Sequence, residues 1–360
     1  MIIDVVLGQA EGRGGLENVL TLVSNELQRR GHEIRVFQMG QSSYQDWEET
    51  LPEVYYYGLA AHQSYQGEQD LFRYALGYRD MLDILGYPDV ILATHTPLLS
   101  ALCRLAVCHL GGEKEPAILS WLHGPPDVWK GGQYLHYAKD GHLAISESIG
   151  NQIAEYVDPE TVHYIGNPVD FNHVSQVKRA KNSLKLIYVG RLNNIEKRLD
   201  VLFKGLKKLN GDWTLNVIGD GPNKTSLQDY AKKLDIDNHI FWMGWSNRPW
   251  EEITSASVLV LSSDYEGFGL VVVEALSRGL PVISTACGGP NEMIKDGLNG
   301  WIFPCGDSEK LHHILQDILD GKKVLPDAES CLQSVDQYRV ERVVDRMESA
   351  IHQAIENRTI

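Results

Sequence analysis

The sequence predicts an α/β protein made of two doubly wound parallel-sheet domains that face across a cleft. Three observations carry this. The chain has 360 residues, about two domains' worth. Short β-branched runs alternate with helical stretches through the first half, and the same alternation restarts near residue 184. The residues best suited to chemistry fall just after strands, where ligands of such sheets sit.

IIDVVLG (2–8) reads as a buried strand, and LENVLTLVSNELQRRG (16–31) as a helix with apolar Leu16, Val19, Leu20, Val23 and Leu27, closed by Gly31. HEIRVFQM (32–39) is a second strand. A helical stretch around 69–86 leads into the strand PDVILATH (88–95), then a helix over 97–110 and strands AILSWLHG (117–124) and GHLAIS (141–146). TVHYIGNPVD (161–170) is a strand broken by Asn167-Pro168. Beyond a separating stretch at 166–182, strands at 184–192, 213–222, 239–245, 256–263 and 280–285 alternate with helices at 198–209, 223–234 and 270–279. Helices over 308–320 and 337–357 finish the chain. No solenoid-length repeat breaks the series.

Composition narrows the class. Hydrophobic content of 43% and charged content of 22% suit a soluble globular protein. MIIDVVLG lacks a basic n-region, so no signal peptide is expected, and no apolar run reaches the ~20 residues that cross a bilayer. Five cysteines form no CxxC pair and read as reduced thiols. The net charge is −15, of which residues 1–165 hold −12, with 10 basic against 22 acidic side chains. That acidic half argues against nucleic acid and gives no general basic field for anionic lipid.

Five stretches can carry chemistry. GRGG (12–15) joins the first strand to the first helix, where Gly14 and Gly15 allow close approach to an anion. A dinucleotide fingerprint is the rival, but Gly8, Gly12, Gly14 and Gly15 miss its spacing and FQMG brings no acid to the second strand end. His123, at the strand end in LSWLHGPPD, suits a substrate hydroxyl or a base, and equally a structural role. In GRLNNIEKR (190–198), Arg191 and Lys197 suit a diphosphate, or plain solvated charge. In VIGDGP (217–222), a strand-to-turn element, Gly219 and Gly221 allow a close backbone approach, as in many βα turns. In SSDYEGFGLVVVEALSRG, Glu266 precedes a glycine turn, the amides of Phe268, Gly269 and Leu270 open a helix, and Glu274 follows one turn on. There is no HExxH, GxSxG or Walker A lysine motif. Asp235-Ile-Asp237 is a D-x-D triplet between a helix and a strand, where Asp commonly turns or caps the chain.

In this order, with GGPNEMIKDGLNGWI (288–302) last, the motifs resemble the retaining GT-B glycosyltransferases of family 4 over residues 7–306, most specifically in the E-x7-E of Glu266 to Glu274. HIFWMGWSNRPWEEI (239–253) is similar to lipopolysaccharide-core 1,6-galactosyltransferases, although EGFG stands where those enzymes have EGFP. The resemblance implies two Rossmann-like domains: 1–167 on the acceptor side, with a terminal helix over 337–360 packing back on it, and 168–336 binding the nucleotide-sugar. It implies that Arg191 and Lys197 hold the donor diphosphate, that Gly14, Gly15, Phe268, Gly269 and Leu270 approach its phosphates, and that Glu274 binds ribose hydroxyls. Met243 lies at the base-binding strand end and Gly219 in a nearby turn. Glu266 and His123 lie beside the transferred sugar.

The activity so implied is metal-independent, cofactor-free, retaining hexosyl transfer. The donor is a UDP-sugar such as UDP-galactose, UDP-glucose or UDP-GlcNAc. The acceptor is a glycan or glycolipid of cell-surface polysaccharide synthesis. The expected place is the cytoplasm, with peripheral membrane association left open. The acidic first half departs from relatives that dock on membranes through a basic N-domain, so an oligosaccharide acceptor stands beside a lipid-linked one. Loop 40–68, rich in Tyr, Gln and Trp, offers rings for sugar faces or for packing. The alternatives are a sugar-nucleotide-binding subunit without its own activity and an NAD-dependent oxidoreductase. No pattern speaks to oligomeric state.

Overall fold

A computed structural model of the chain describes residues 1–58, 70–110, 115–128, 131–172, 174–180 and 183–358. The fold divides into two compact units, Met1–Val169 with Tyr338–Ile360, and Asp170–Gln337.

The first unit holds β1 (Ile2–Val6), α1 (Gly15–Arg29), β2 (Glu33–Gln38), β3 (Val54–Tyr56), α2 (Leu71–Leu85), β4 (Val90–His95), α3 (Leu98–Val107), β5 (Ala117–Leu122), β6 (Gly141–Ala144), α4 (Glu147–Ile153) and β7 (Val162–Tyr164). Its seven strands lie in the order β3-β2-β1-β4-β5-β6-β7, and every pairing is parallel. Helices cover such a sheet on both faces, which is why β1, β4 and β5 are near-continuous apolar runs rather than alternating ones. The strand order reverses between β1 and β4, so their carboxyl ends form the switch point where ligands bind.

A buried ion pair lies in the core of this unit. Asp4 of β1 is fully buried and stands in register with Arg35 of β2. Arg35 Nε donates to Asp4 Oδ1 at 2.7 Å and the Tyr78 hydroxyl of α2 donates to Oδ2 at 2.6 Å. Arg35 Nη1 donates on to the Leu85 and Gly86 carbonyls at 3.2 and 3.1 Å, while its Nη2 is buried without a hydrogen-bond partner.

The second unit holds β8 (Lys178–Arg179), β9 (Leu184–Val189), α5 (Asn194–Lys197), α6 (Leu199–Leu206), β10 (Trp213–Ile218), α7 (Lys224–Lys233), β11 (Ile240–Gly244), β12 (Ser255–Ala256), β13 (Val258–Leu261), α8 (Leu270–Leu276), β14 (Val282–Thr285), α9 (Gly288–Met293), β15 (Gly300–Phe303), α10 (Ser308–Leu319) and α11 (Ala328–Ser334). Its main sheet runs β11-β10-β9-β13-β14-β15, again parallel. Here the order reverses between β9 and β13. α5, α8 and their loops stand at that switch point.

The last helix, α12 (Val340–Glu356), belongs to the first unit. It starts later than residue 337 because Arg339 is extended and bridges to Val169. Val343, Val344, Met347, Ala350, Ile351 and Ala354 form its buried stripe. At its rim Arg30 Nη1 reaches Asp345 at 2.7 Å and Glu348 at 2.5 Å, and Arg346 donates twice to the Ile165 carbonyl. No helix among the described residues is long and apolar enough to cross a membrane.

Candidate active site

In the second unit the site is built by packing α5 against the loop between β13 and α8. Asn193 caps α5 through the Ile195 amide, and Asn223 Oδ1 takes the Asn194 amide at 2.9 Å. The loop then ties to α5. The Asp264 amide donates to the Glu196 carbonyl at 2.9 Å and Ser262 Oγ to the Lys197 carbonyl at 3.0 Å. This places Lys197 Nζ 2.9 Å from Glu266 Oε1, which Ser263 Oγ also approaches at 2.8 Å. Both charged side chains are largely withdrawn from water, at 20% and 13% exposure. Lys197 is therefore paired with the acid beside it. An ammonium has three donors, so this pairing leaves capacity for an incoming oxygen. Arg191 lies beyond the end of β9, exposed, and forms no ion pair among the described residues.

The glycine turn is held from beneath. Gly269 caps α8 at φ +81, a left-handed conformation that glycine adopts without strain. A Cβ on Gly288 of α9 would stand 1.9 Å from the Glu266 carbonyl oxygen, so the GGP stretch is glycine because it packs directly under the acid's own backbone. Phe268 is buried. Leu270 opens α8, whose first amides have no acceptor within the helix.

Glu274 sits half-buried on α8, a turn past Leu270. Its Oε2 accepts the Trp250 indole N–H at 2.9 Å, and burial raises its carboxyl above the usual range against the pull of that bond and of Arg278. Glu266 and Glu274 thus have different side-chain partners: an ammonium and a hydroxyl for one, an indole N–H for the other.

At the far side of the sheet, a Cβ on Gly219 would stand 1.9 Å from the Gly190 carbonyl oxygen, and the Gly219 amide donates to the Gly244 carbonyl at 2.7 Å. Gly219 draws the ends of β9, β10 and β11 together. The Gly244 carbonyl next to Met243 is engaged by that amide, while Met243 itself is exposed on β11. Asp235 turns the chain at φ +60, and Asp237 opens a short 3-10 turn.

In the first unit, Gly14 precedes α1 and Gly15 begins it, but the chain supplies its own anion there. Glu17 Oε1 accepts the Gly12 amide at 3.1 Å, a carboxylate at the third helical position closing back on the loop. His123 follows β5 with its ring 4.7 Å from that of Trp121. Its Nε2 is buried without a hydrogen-bond partner. Burial pushes the imidazole down to about 3, with His95 adding to the fall. The ring is neutral at physiological pH.

A folded pKa below the unfolded value near 6.5 means the unfolded chain binds the extra proton. Stability from this residue is therefore full above pH 6.5 and is lost as pH falls toward 3. Between pH 7 and 5, His123 alone should cost about 2 kcal/mol. Urea titrations of wild type and His123→Asn at both pH values test this: the variant should lose about that much less. An equal loss in both would contradict it.

Sequence reasoning did not single out Ser263, Trp250, Arg278 or His95. Ser263 and Glu266 are three apart in one loop, and Glu274 and Arg278 are four apart across the end of α8, spacings that were legible. His95 ends β4, opposite Leu122 and so beside His123, at φ +89. Only the backbone shows that strain. In loop 40–68, Trp47 proves to be packing: it is buried and its indole donates to the Glu17 carbonyl at 3.1 Å. Residues 59–68 of that loop lie outside the described residues.

The chain is similar to known proteins in sequence and fold. Residues 170–331 match the model of glycosyl transferases group 1, and residues 13–173 that of glycosyltransferase family 4. The lipopolysaccharide 1,6-galactosyltransferase of Escherichia coli K12 is 33% identical over 279 residues, 75% of this chain and 76% of that enzyme. The structure of the lipopolysaccharide outer core galactosyltransferase WaaB in its apo form superposes with a TM-score of 0.82 at 27% identity, covering 98% of this chain and 99% of that one. The Anabaena HepE structure, a complex with UDP and glucose, shares the fold at TM-score 0.79 and 18% identity, over 97% of this chain and 99% of that one. With two Rossmann-like units, an E-x7-E loop at a switch point and relatives of this extent, the chain belongs to the family 4 glycosyltransferases and has their GT-B fold.

Proposed function

We propose that the protein is a retaining hexosyltransferase that carries galactose, or a closely related hexose, from its UDP-sugar to a hydroxyl of a cell-surface glycan such as a lipopolysaccharide core. The observation that carries this is the cluster of Lys197, Glu266 and Ser263 beside the Gly269-capped helix that bears Glu274. In this reading Glu274 holds the ribose hydroxyls and Glu266 a hydroxyl of the transferred sugar. Arg191, Lys197 and the amides of Phe268, Gly269 and Leu270 face the diphosphate. In transfer, the bond from the anomeric carbon to the phosphate oxygen breaks and the acceptor oxygen bonds on the same face. The acceptor proton passes to the departing phosphate. Negative charge grows on the diphosphate as that bond breaks, so fixed cations and dipoles there lower the barrier without a metal. Glu266 acts by positioning. His123 offers a neutral imidazole to a sugar hydroxyl, and its place in the N-terminal unit is the acceptor-side expectation.

The test is incubation of the isolated chain with UDP-galactose, UDP-glucose and UDP-GlcNAc and truncated core oligosaccharides, without added divalent metal. UDP release, with an α-linked product by NMR coupling constants, is expected with one donor. A β-linked product would overturn retention. Donor binding without release on any acceptor would favour a binding subunit. Replacing Glu274 by alanine is expected to weaken UDP binding by about 10–100-fold, as loss of hydrogen bonds to a charged group does.

A further inference from the structure

Glu274 is held in an unusual way for an acid that must stay open to a ligand. Oε2 takes the Trp250 indole N–H at 2.9 Å, and Oε1 has no hydrogen-bond partner among the described residues. Trp250 lies in the 3-10 turn Pro249–Glu252, 24 residues before the acid. The Arg278 guanidinium lies over its ring at 4.8 Å from the centroid. Arg278 Nη1 does not bind the carboxylate. It donates to the Glu274 main-chain carbonyl at 2.8 Å, one helical turn back. The indole is thus bracketed between a carboxylate edge and a cation stacked on its face.

We propose that Trp250 is a positioning residue for the donor's ribose diol, acting through Glu274. This rests on the reading of Glu274 as the ribose acid. A glutamate side chain has three rotatable bonds, and a vicinal diol is gripped well only by a carboxylate whose plane is set. The indole N–H sets it from one oxygen and leaves the other free. A lysine in its place would neutralise the acid as Lys197 does Glu266, whereas a neutral donor orients the carboxylate and keeps its charge for the ligand. Arg278 in turn fixes the indole by stacking, which keeps the guanidinium off the carboxylate.

The experiment is calorimetric titration of UDP and of 2′,3′-dideoxy-UDP into wild type, Trp250→Phe, Glu274→Ala and the double variant, with GDP and ADP as further probes. Phenylalanine keeps an aromatic ring under Arg278 and removes the N–H together with the rest of the indole, so the dideoxy-UDP comparison separates the lost hydrogen bond from lost packing. Trp250→Phe should weaken UDP by about three- to tenfold and leave dideoxy-UDP unchanged, and the double variant should bind no worse than Glu274→Ala. The ratio of the two affinities within one variant does not depend on its folded fraction, so a partly unfolded Trp250→Phe still gives an answer. Loss of UDP in Glu274→Ala but not in Trp250→Phe overturns the proposal and leaves the ribose reading standing. Unchanged binding in Glu274→Ala, or no binding of any of these nucleotides to wild type, overturns both. A double variant clearly worse than Glu274→Ala shows Trp250 touching the nucleotide itself, which also overturns it.

Discussion

Exchange of Lys197 for methionine is expected to lower turnover at saturating donor by about two to three orders of magnitude, the usual loss when one preorganised donor to developing charge is removed. The ammonium stands 2.9 Å from Glu266 Oε1. In the proposed reaction it steadies that acid against the sugar and offers remaining N–H groups to the phosphate. Methionine keeps the length of the stem, so α5 should stay docked through its backbone bonds to the loop at 262–264. Glu266→Gln should cost a similar factor, because the amide keeps the Ser263 contact and loses the charge that anchors Lys197. The double variant should fall far short of the product of the two losses, since both remove one unit. Steady-state kinetics with separate donor and acceptor titrations measure this. Turnover of Lys197→Met within threefold of wild type would remove the lysine from the chemistry. Losses that multiply would show that the pair does not act together.

The largest effect on folding is expected at Asp4. Its carboxylate is the partner of a guanidinium that is itself 2% exposed. Asp4→Ala leaves Arg35 buried without its counter-charge and the Tyr78 hydroxyl without its acceptor, a cost of about 3–5 kcal/mol. Replacing Asp4 and Arg35 together by apolar residues should cost much less, because the desolvation of the charge disappears with it. Denaturant melting followed by a probe in the first unit checks both. Equal destabilisation by the single and double changes would refute the argument. Burial raises the Asp4 carboxyl, while the Arg35 guanidinium and the Tyr78 hydroxyl pull it down.

Much of this architecture was open to reading along the chain. Runs such as ILATH and LIYV are too short and too uniformly apolar for surface helices, and glycine or proline bounds them. In an alternating series they can only be interior strands of a parallel sheet. Hydrophobic burial sets that pattern locally, residue by residue, and so it survives in one dimension. The strands VYY at 54–56 and GWIF at 300–303 were not legible. Three or four residues carry no period, and such edge strands exist only because β2 and β14 are there to pair with them.

The same division holds at the site. Sequence alone picked out the glycine turns that lead into helices, GRGG, GDGP and EGFG, because backbone that passes close to a neighbour or takes a left-handed turn needs glycine wherever it occurs. The tertiary structure alone decided what each charge meets. Lys197 meets Glu266 across 69 positions of sequence and Trp250 meets Glu274 across 24. Glu17 fills the first glycine loop, and Asp4 meets Arg35 through the register of two strands. Hydrogen bonds and ion pairs act over about 3 Å, and whether two groups come within that reach is settled by packing, not by their separation along the chain.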